Sequence, residues 1–377
     1  MDPIQTKRTL LEQKYGEQKI NEVLNRIQSL RVDVPSWGFG RGGTRFGTYR
    51  TGNEATNAKE RIHAAREAYT RAKMNGSVAF HFPWDGDSLS DCEAIKAALE
   101  VEGLTAGAVN TNMFDPRPQL GLDARVRFGS FTNPDRTIQE LMVEHNLQAL
   151  EYMRILRTNA LSLWFPDGTN SPGQLSFYDQ ADWMEQNLKK IYDALNPNET
   201  MYIEYKLFEP GFYSTAIADW GRALSICKRL GKQAQILVDL GHHALGTNIE
   251  QIVALLIREG KLGGFHFNDK KYADDDLATA SLDPFQLFRV FVVMLEGEKR
   301  GLVKVDSVNF LLDQSHNIKH PTDEVVESLE NIRLLYAKAL LVDYDALQDA
   351  RLNCDPTRGD SILKKAFWED VTSLLPN

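Results

Sequence analysis

A short β-rich run, a polar loop and an amphipathic helix recur in that order along most of the chain, and this recurrence constrains the fold more than any other feature. The clearest β-runs are SVAFHF (77–82), TAGAVNTNMF (105–114), ALSLWF (160–165), TMYIEYKLF (200–208), AQILVDL (234–240), GGFHFN (263–268) and VNFLLD (308–313), with a further candidate near Trp37 to Phe39. Helical patterns lie between them. Asn133-Pro134-Asp135 opens a long one, and Thr247-Asn248-Ile249-Glu250 has the spacing of a capping box before Ile252, Val253, Leu255 and Leu256. Asp283-Pro284 starts another, with Phe285, Phe288, Val292 and Leu295 at helical spacing. Strands alternating with helices in this way predict an α/β fold, a (β/α)8 TIM barrel.

The main rival is a doubly wound open sheet. Its dinucleotide fingerprint would place GxGxxG between the first strand and helix. The glycine-rich GFGRGGTRFG (38–47) has neither that order nor a following GK[ST], and reads as a flexible loop. No glycine, serine or proline-rich linker divides the chain. The expected organisation is an N-terminal helical extension (1–34), a catalytic barrel (35–342) and a C-terminal helical tail (343–377).

Composition narrows the partners. A net charge of -9 argues against a nucleic-acid binder, which needs a basic face to collect phosphates. The three cysteines are far apart and form no CxxC, which fits a reducing cytoplasm better than a disulfide framework. The first residues carry no apolar core of a signal peptide, and the longest apolar run, VFVVML at 290–295, is too short to span a bilayer. A cytoplasmic protein without membrane contact is expected.

Active-site groups of such barrels come from the C-terminal ends of the strands. The later β-runs are unusual there. IEYK carries Glu204 and Lys206, which the period of two turns to one side; VDLGHH carries Asp239, His242 and His243. The next offers His266 followed by Asp274 and Asp276, and the last closes an apolar run with Asp313. An unpaired carboxylate there is expensive to bury. One such residue reads as a structural ion pair or a capped turn; a shared cation explains all four strand ends at once. Carboxylates and imidazoles without thiolate suit Mn²⁺, Co²⁺ or Mg²⁺ better than a structural zinc. The donors outnumber the needs of one ion, so two metals sharing a carboxylate is the natural arrangement. Earlier in the chain, His81 faces the barrel mouth with Asp85 four residues on to fix its tautomer, and Trp37, Phe46 and Trp164 offer aromatic faces to a sugar.

These segments resemble the xylose-isomerase-like barrels, and more closely the bacterial L-rhamnose isomerases of the Pseudomonas and Bacillus type. The resemblance rests on IEYKLFEP, VDLGHHALGTNIE, GGFHFNDKKYADDD and DPFQLFR, extended toward the N-terminus by PSWGF, GTRF and FHFPWD. It implies that Glu204, Asp239, His266 and Asp313 hold a structural metal. Asp239 would bridge to a catalytic metal also bound by His242, Asp274 and Asp276. It further implies two divalent ions per subunit, Mn²⁺ first, with Co²⁺, Mg²⁺ or Zn²⁺ as alternatives. Lys206 would hydrogen-bond the substrate near O1, and Asp313 would also bind substrate. His81, supported by Asp85, would meet the ring oxygen or the O1 end. Trp37, Trp164 and Phe46 would form apolar walls, Phe46 from a neighbouring subunit of a homotetramer.

The implied activity is aldose–ketose isomerisation, L-rhamnose to L-rhamnulose, by a metal-assisted 1,2-hydrogen shift. A ketose 3-epimerase on the same barrel would use two glutamates around one metal. A phosphodiester-cleaving barrel would need a basic face, and a non-catalytic sugar binder would be indifferent to metal.

Overall fold

The computed structural model describes residues 3–41, 43–44, 47–48, 52, 54–116, 124–209, 213–314 and 318–376. Eight parallel strands follow one another around a barrel: β1 (Val34–Pro35), β2 (Val78–Phe82), β3 (Ala106–Thr111), β4 (Ala160–Trp164), β5 (Thr200–Glu204), β6 (Ala234–Asp239), β7 (Leu262–Phe267) and β8 (Asn309–Leu312). Strands covered on both faces read as continuous apolar runs, and β7 is buried at every position. The ring closes through Asp33, whose N–H donates to Phe310 O at 2.7 Å while its own carbonyl accepts from Leu312 N–H at 3.0 Å. The first strand is thus earlier than Trp37 to Phe39, which form a 3-10 turn after it. Pro35 lacks an N–H to extend a ladder, so two residues suffice. The run TMYIEYKLF also stops at Glu204; Phe208–Glu209 belongs to a separate hairpin with Tyr213–Ser214.

Each strand is followed by a helix of the outer ring. These are α3 (Ala58–Ala72), α4 (Leu89–Glu102), α5 (Arg136–Ile155), α6 (Phe177–Asp193), α7 (Trp220–Leu230), α8 (Ile249–Arg258), α9 (Pro284–Lys299) and α10 (Pro321–Leu340), counted after the N-terminal pair α1 (Pro3–Tyr15) and α2 (Glu17–Ser29). Asp283 caps α9 by accepting from Gln286 N–H at 3.0 Å, with Pro284 in its first turn, as the spacing predicts. At α8 the cap is Asn248 rather than Thr247, because the Asn248 amide oxygen takes the Gln251 N–H at 3.1 Å.

The N-terminal pair and the C-terminal α11 (Tyr344–Leu352) and α12 (Pro356–Phe367) pack outside the ring near α9 and α10. Ile20, Val23 and Ile27, spaced for one helical face, bury against α10. Phe367 meets Phe285 and Phe288 edge-on. The two ends of the chain also touch, through Tyr15 hydroxyl to Glu369 at 2.6 Å and Lys7 to Asp370 at 2.8 Å. No described helix is long and apolar enough to cross a membrane.

Candidate metal centre

The C-terminal ends of β5 to β8 deliver one acid or imidazole each to a single point. Glu204 and Asp239 are the last residues of their strands, His266 is next to last in β7, and Asp313 directly follows β8. One ligand atom from each lies within 4.8 Å of all the others. His266 Nδ1 is 3.1 Å from Asp313, 3.3 Å from Glu204 and 3.8 Å from Asp239. A single ring nitrogen can satisfy only one of three carboxylates. Convergence of this kind, with Asp239 fully buried and Glu204 and His266 nearly so, is the donor arrangement of a divalent cation.

A second group shares Asp239 and adds His242 and Asp274. His242 Nδ1 is 3.1 Å from the Tyr205 carbonyl, and Nε2 is 3.0 Å from Asp274 Oδ1. A carbonyl only accepts, so Nδ1 carries a proton and Nε2 is free to offer a lone pair. Asp274 Oδ1 is buried without a hydrogen bond, since that Nε2 approach has the distance but not the geometry of one. Two acceptors aimed at each other ask for positive charge between them, a metal ion or, without one, a proton on Nε2.

The charges tell the same story. Burial opposes charging of His242 and His266, yet the surrounding carboxylates outweigh it and hold both well above the ordinary histidine value. Burial pushes Asp239 up, as do Glu204, Asp274 and Asp313, although His242 acts against them. Glu204 goes the other way: burial raises it, but His266 and His242 prevail and hold it low. Protons on the imidazoles thus supply the positive charge that the cluster demands. Carboxylates and imidazoles gathered in this way could hold a metal ion, in two groups that share Asp239.

Around this centre is a cavity of about 350 Å³ lined by Trp37, His81, Trp164, Lys206, Asp276 and Asp313 among others. Larger spaces exist at helix seams, but they lack this convergence of acids and imidazoles. The Lys206 ammonium lies between Asp274 Oδ2 at 2.6 Å and Glu209 Oε2 at 2.8 Å, 4.8 Å from the Trp164 ring centre. Burial disfavours that charge, but Asp274 and Glu209 more than offset it and raise its pKa above the ordinary lysine value. Trp37 Nε1 donates to Asp313 Oδ1 at 2.9 Å and packs edge-on against His81. The His81 ring stacks on Trp84 at 3.9 Å, and burial, with His145 and Arg61 nearby, lowers its pKa to about 3. Phe46 lies outside the described residues.

Two expectations need correction. Asp85 does not reach the His81 ring. Its carboxylate accepts from the His81 backbone N–H at 2.7 Å, Ser36 hydroxyl at 2.5 Å and Arg61 at 2.7 Å, because the 83–86 turn folds it back beneath the strand end. His81 Nδ1 is left buried without a partner. Asp276 lines the cavity but is not within ligand distance of the second group, which gathers only Asp239, His242 and Asp274. The chain bends through 271–274, and Asp276 is left-handed with φ +47°. Burial and its acidic neighbours Asp274, Asp313 and Asp239 push the Asp276 carboxyl far up. The Asp275 carboxylate accepts from the Lys271 and Tyr272 N–H groups at 2.6 and 2.8 Å and shapes the loop.

Several residues escape a reading of spacing. Asn268 donates to both oxygens of Asp239 at 3.0 Å; it lies two residues beyond His266, so the period of two that selects His266 extends to it. Glu209 reaches Lys206 only because the hairpin turns it back, which local spacing does not show. His243 turns away from the metal donors and pairs through Nε2 with the Tyr205 hydroxyl at 2.6 Å.

Comparison with known proteins agrees with this fold. The family description "Xylose isomerase-like TIM barrel" matches residues 14–331. A probable sugar isomerase of Rhizobium meliloti (strain 1021) is 39% identical, covering 94% of this chain and 82% of that protein. One from Mesorhizobium japonicum is 38% identical, over 94% of this chain and 81% of its own. Among solved structures, L-ribulose 3-epimerase superposes with a TM-score of 0.56 at 14% identity, covering 86% of this chain and 97% of its own. D-allulose 3-epimerase from Methylomonas sp. gives 0.58 at 14% identity, covering 81% and 98% respectively. At such identity these structures speak for the fold alone.

Proposed function

The chain belongs to the xylose isomerase-like TIM-barrel family, and from that premise we propose that it is a metal-dependent aldose–ketose isomerase whose preferred pair is L-rhamnose and L-rhamnulose. The observation that carries the reading is His266 Nδ1 facing three carboxylates from three other strand ends, with a second group joined to it through Asp239. Mn²⁺ is the proposed ion, and a homotetramer the proposed assembly.

The reaction moves a hydrogen between C1 and C2 and a proton between O1 and O2. When bound, the divalent ions supply Lewis acidity that draws electron density from the sugar's oxygens. Glu204, Asp239, His266 and Asp313 would hold one ion; Asp239, His242 and Asp274 would hold the other. Lys206, fixed by two carboxylates, donates to the developing oxygen anion at O1. His81, held edge-on by Trp37, donates or accepts at the far end of the open chain according to its tautomer. Trp37 and Trp164 cover the sugar's C–H faces and exclude water. Asp276 faces the same cavity and is placed to exchange the proton between O1 and O2.

The test is a metal-supplemented aldose panel with ketose detection, run in deuterated water with product NMR. Turnover of L-rhamnose without exchange at C3 supports the proposal. Exchange at C3 of a ketose, with no aldose formed, assigns the protein to 3-epimerisation instead. No turnover with any metal removes the enzymatic reading.

A further inference from the structure

A second polar cavity, of about 420 Å³, opens at the opposite end of the barrel from the metal centre. Its lining includes the starting residues of β3, β4, β5 and β8, and it exists because the inward positions there are small. Ala108 and Ala160 stand in the buried layer with Tyr202 and Leu237, where barrels ordinarily stack bulky branched side chains. Gly107 is required for a related reason: a Cβ at that position would sit 2.8 Å from the Asp33 carboxylate.

Unused acceptor capacity is concentrated at Asp33 and Asn309 in this space. Asp33, only 7% exposed, accepts from Ser77 N–H at 2.9 Å and from Asn309 Nδ2 at 3.0 Å, one bond to each oxygen. A carboxylate has lone pairs for about four such bonds, so half its capacity remains. Because a carboxylate cannot donate, Asn309 must turn its NH₂ toward Asp33, and its Oδ1 is a buried acceptor without a partner. The Tyr202 side chain is nine-tenths buried, and its hydroxyl has no hydrogen bond among the described residues. That hydroxyl is not sealed off but opens to the cavity, where a ligand can meet it. Burial and the charge of Asp33 raise this phenol to about 12.

The unused lone pairs of Asp33 and the free Asn309 Oδ1 favour a cationic ligand with several N–H donors over a neutral polyol, whose hydroxyls carry one proton each. The space is far larger than one metal ion needs, and no metal-donor cluster of described residues lies there. The charged groups around it are Asp33 and the exposed Asp306 against one exposed cation, Arg31, whose field reaches Asp33 and acts against the effect of burial. We propose that this cavity binds a small primary-amine cation, its ammonium held between the Asp33 carboxylate and the Tyr202 hydroxyl and its carbon chain against Ala108 and Ala160. The site is independent of the sugar reading.

The experiment is isothermal titration calorimetry and thermal denaturation of the full chain with ethylammonium and ethanolammonium. Tetramethylammonium, a cation without N–H, and ethylene glycol, neutral, are the controls. Saturable binding of the primary amines, with neither control competing, is the expected result. Tyr202→Phe removes an oxygen without a hydrogen bond among the described residues, so the fold is retained; it weakens binding by about fivefold, the worth of one hydrogen bond. Ala108→Leu fills the space and abolishes binding. Sugar turnover is unchanged in Tyr202→Phe. Absence of saturable heat, equal binding of tetramethylammonium, or undiminished binding by folded Tyr202→Phe each overturns the proposal.

Discussion

Lys206 Nζ lies 2.6 Å from Asp274 Oδ2, so the end of β5 and the loop after β7 are joined by one ion pair inside the cavity. The pair sets the position of a metal donor and of a substrate donor together. Lys206→Met is expected to leave the circular dichroism spectrum unchanged and lower kcat by about a hundredfold or more, the range for losing one preorganised donor to a developing oxyanion. Glu209→Gln loosens the same ammonium without removing it, and a fall of about tenfold in kcat with little change in KM is expected from steady-state kinetics.

Asp276→Asn keeps the size of the side chain and the left-handed backbone that asparagine also tolerates. The fold and the metal stabilisation should survive while isomerisation is lost. Full activity in this variant, measured by ketose formation, removes Asp276 from the reacting set.

Metal should stabilise the fold because it binds the assembled strand ends and not the unfolded chain. Mn²⁺ at about a hundred times its dissociation constant adds about 2.7 kcal/mol, and dialysis against a chelator removes it. Asp239→Asn, which strips the donor common to both groups, is expected to abolish the rise in Tm.

At the floor of the barrel Glu199 supports a separate pH prediction. The Arg154 guanidinium grips it at 2.8 and 2.9 Å, Asn196 adds two more bonds, and its pKa falls from 4.5 to about 2. A depressed carboxylate contributes stability that is present above pH 4.5 and lost as the pH falls toward about 2. Glu199→Gln should therefore cost about 2 kcal/mol at neutral pH, discounted because Arg154 is partly exposed, and the variant and parent curves from urea denaturation should converge near pH 2.

The barrel was legible because buried parallel strands write themselves as apolar runs, and because an acid or imidazole at the end of such a run is conspicuous. Glu204, Asp239, His266 and Asp313 were found on that signal, and the structure brings them together. The first strand was hard to see because two residues and a proline carry no period. Asp85 and Asp276 were misjudged in detail because their geometry is set by turns, where side-chain direction no longer follows alternation. Glu209 became visible only once a hairpin brought it to Lys206.

The closing contact of the ring has a consequence for how the chain is made. The strand β1 is completed by Phe310 and Leu312, and Trp37 by Asp313, so groups near the start of the sequence wait for groups made near its end. Until β8 leaves the ribosome, β1 and the fully buried β7 stand as two open sheet edges. Synthesis therefore passes through a long interval in which the nascent sheet can pair with a neighbour's, and a chain arrested before residue 309 carries both edges permanently.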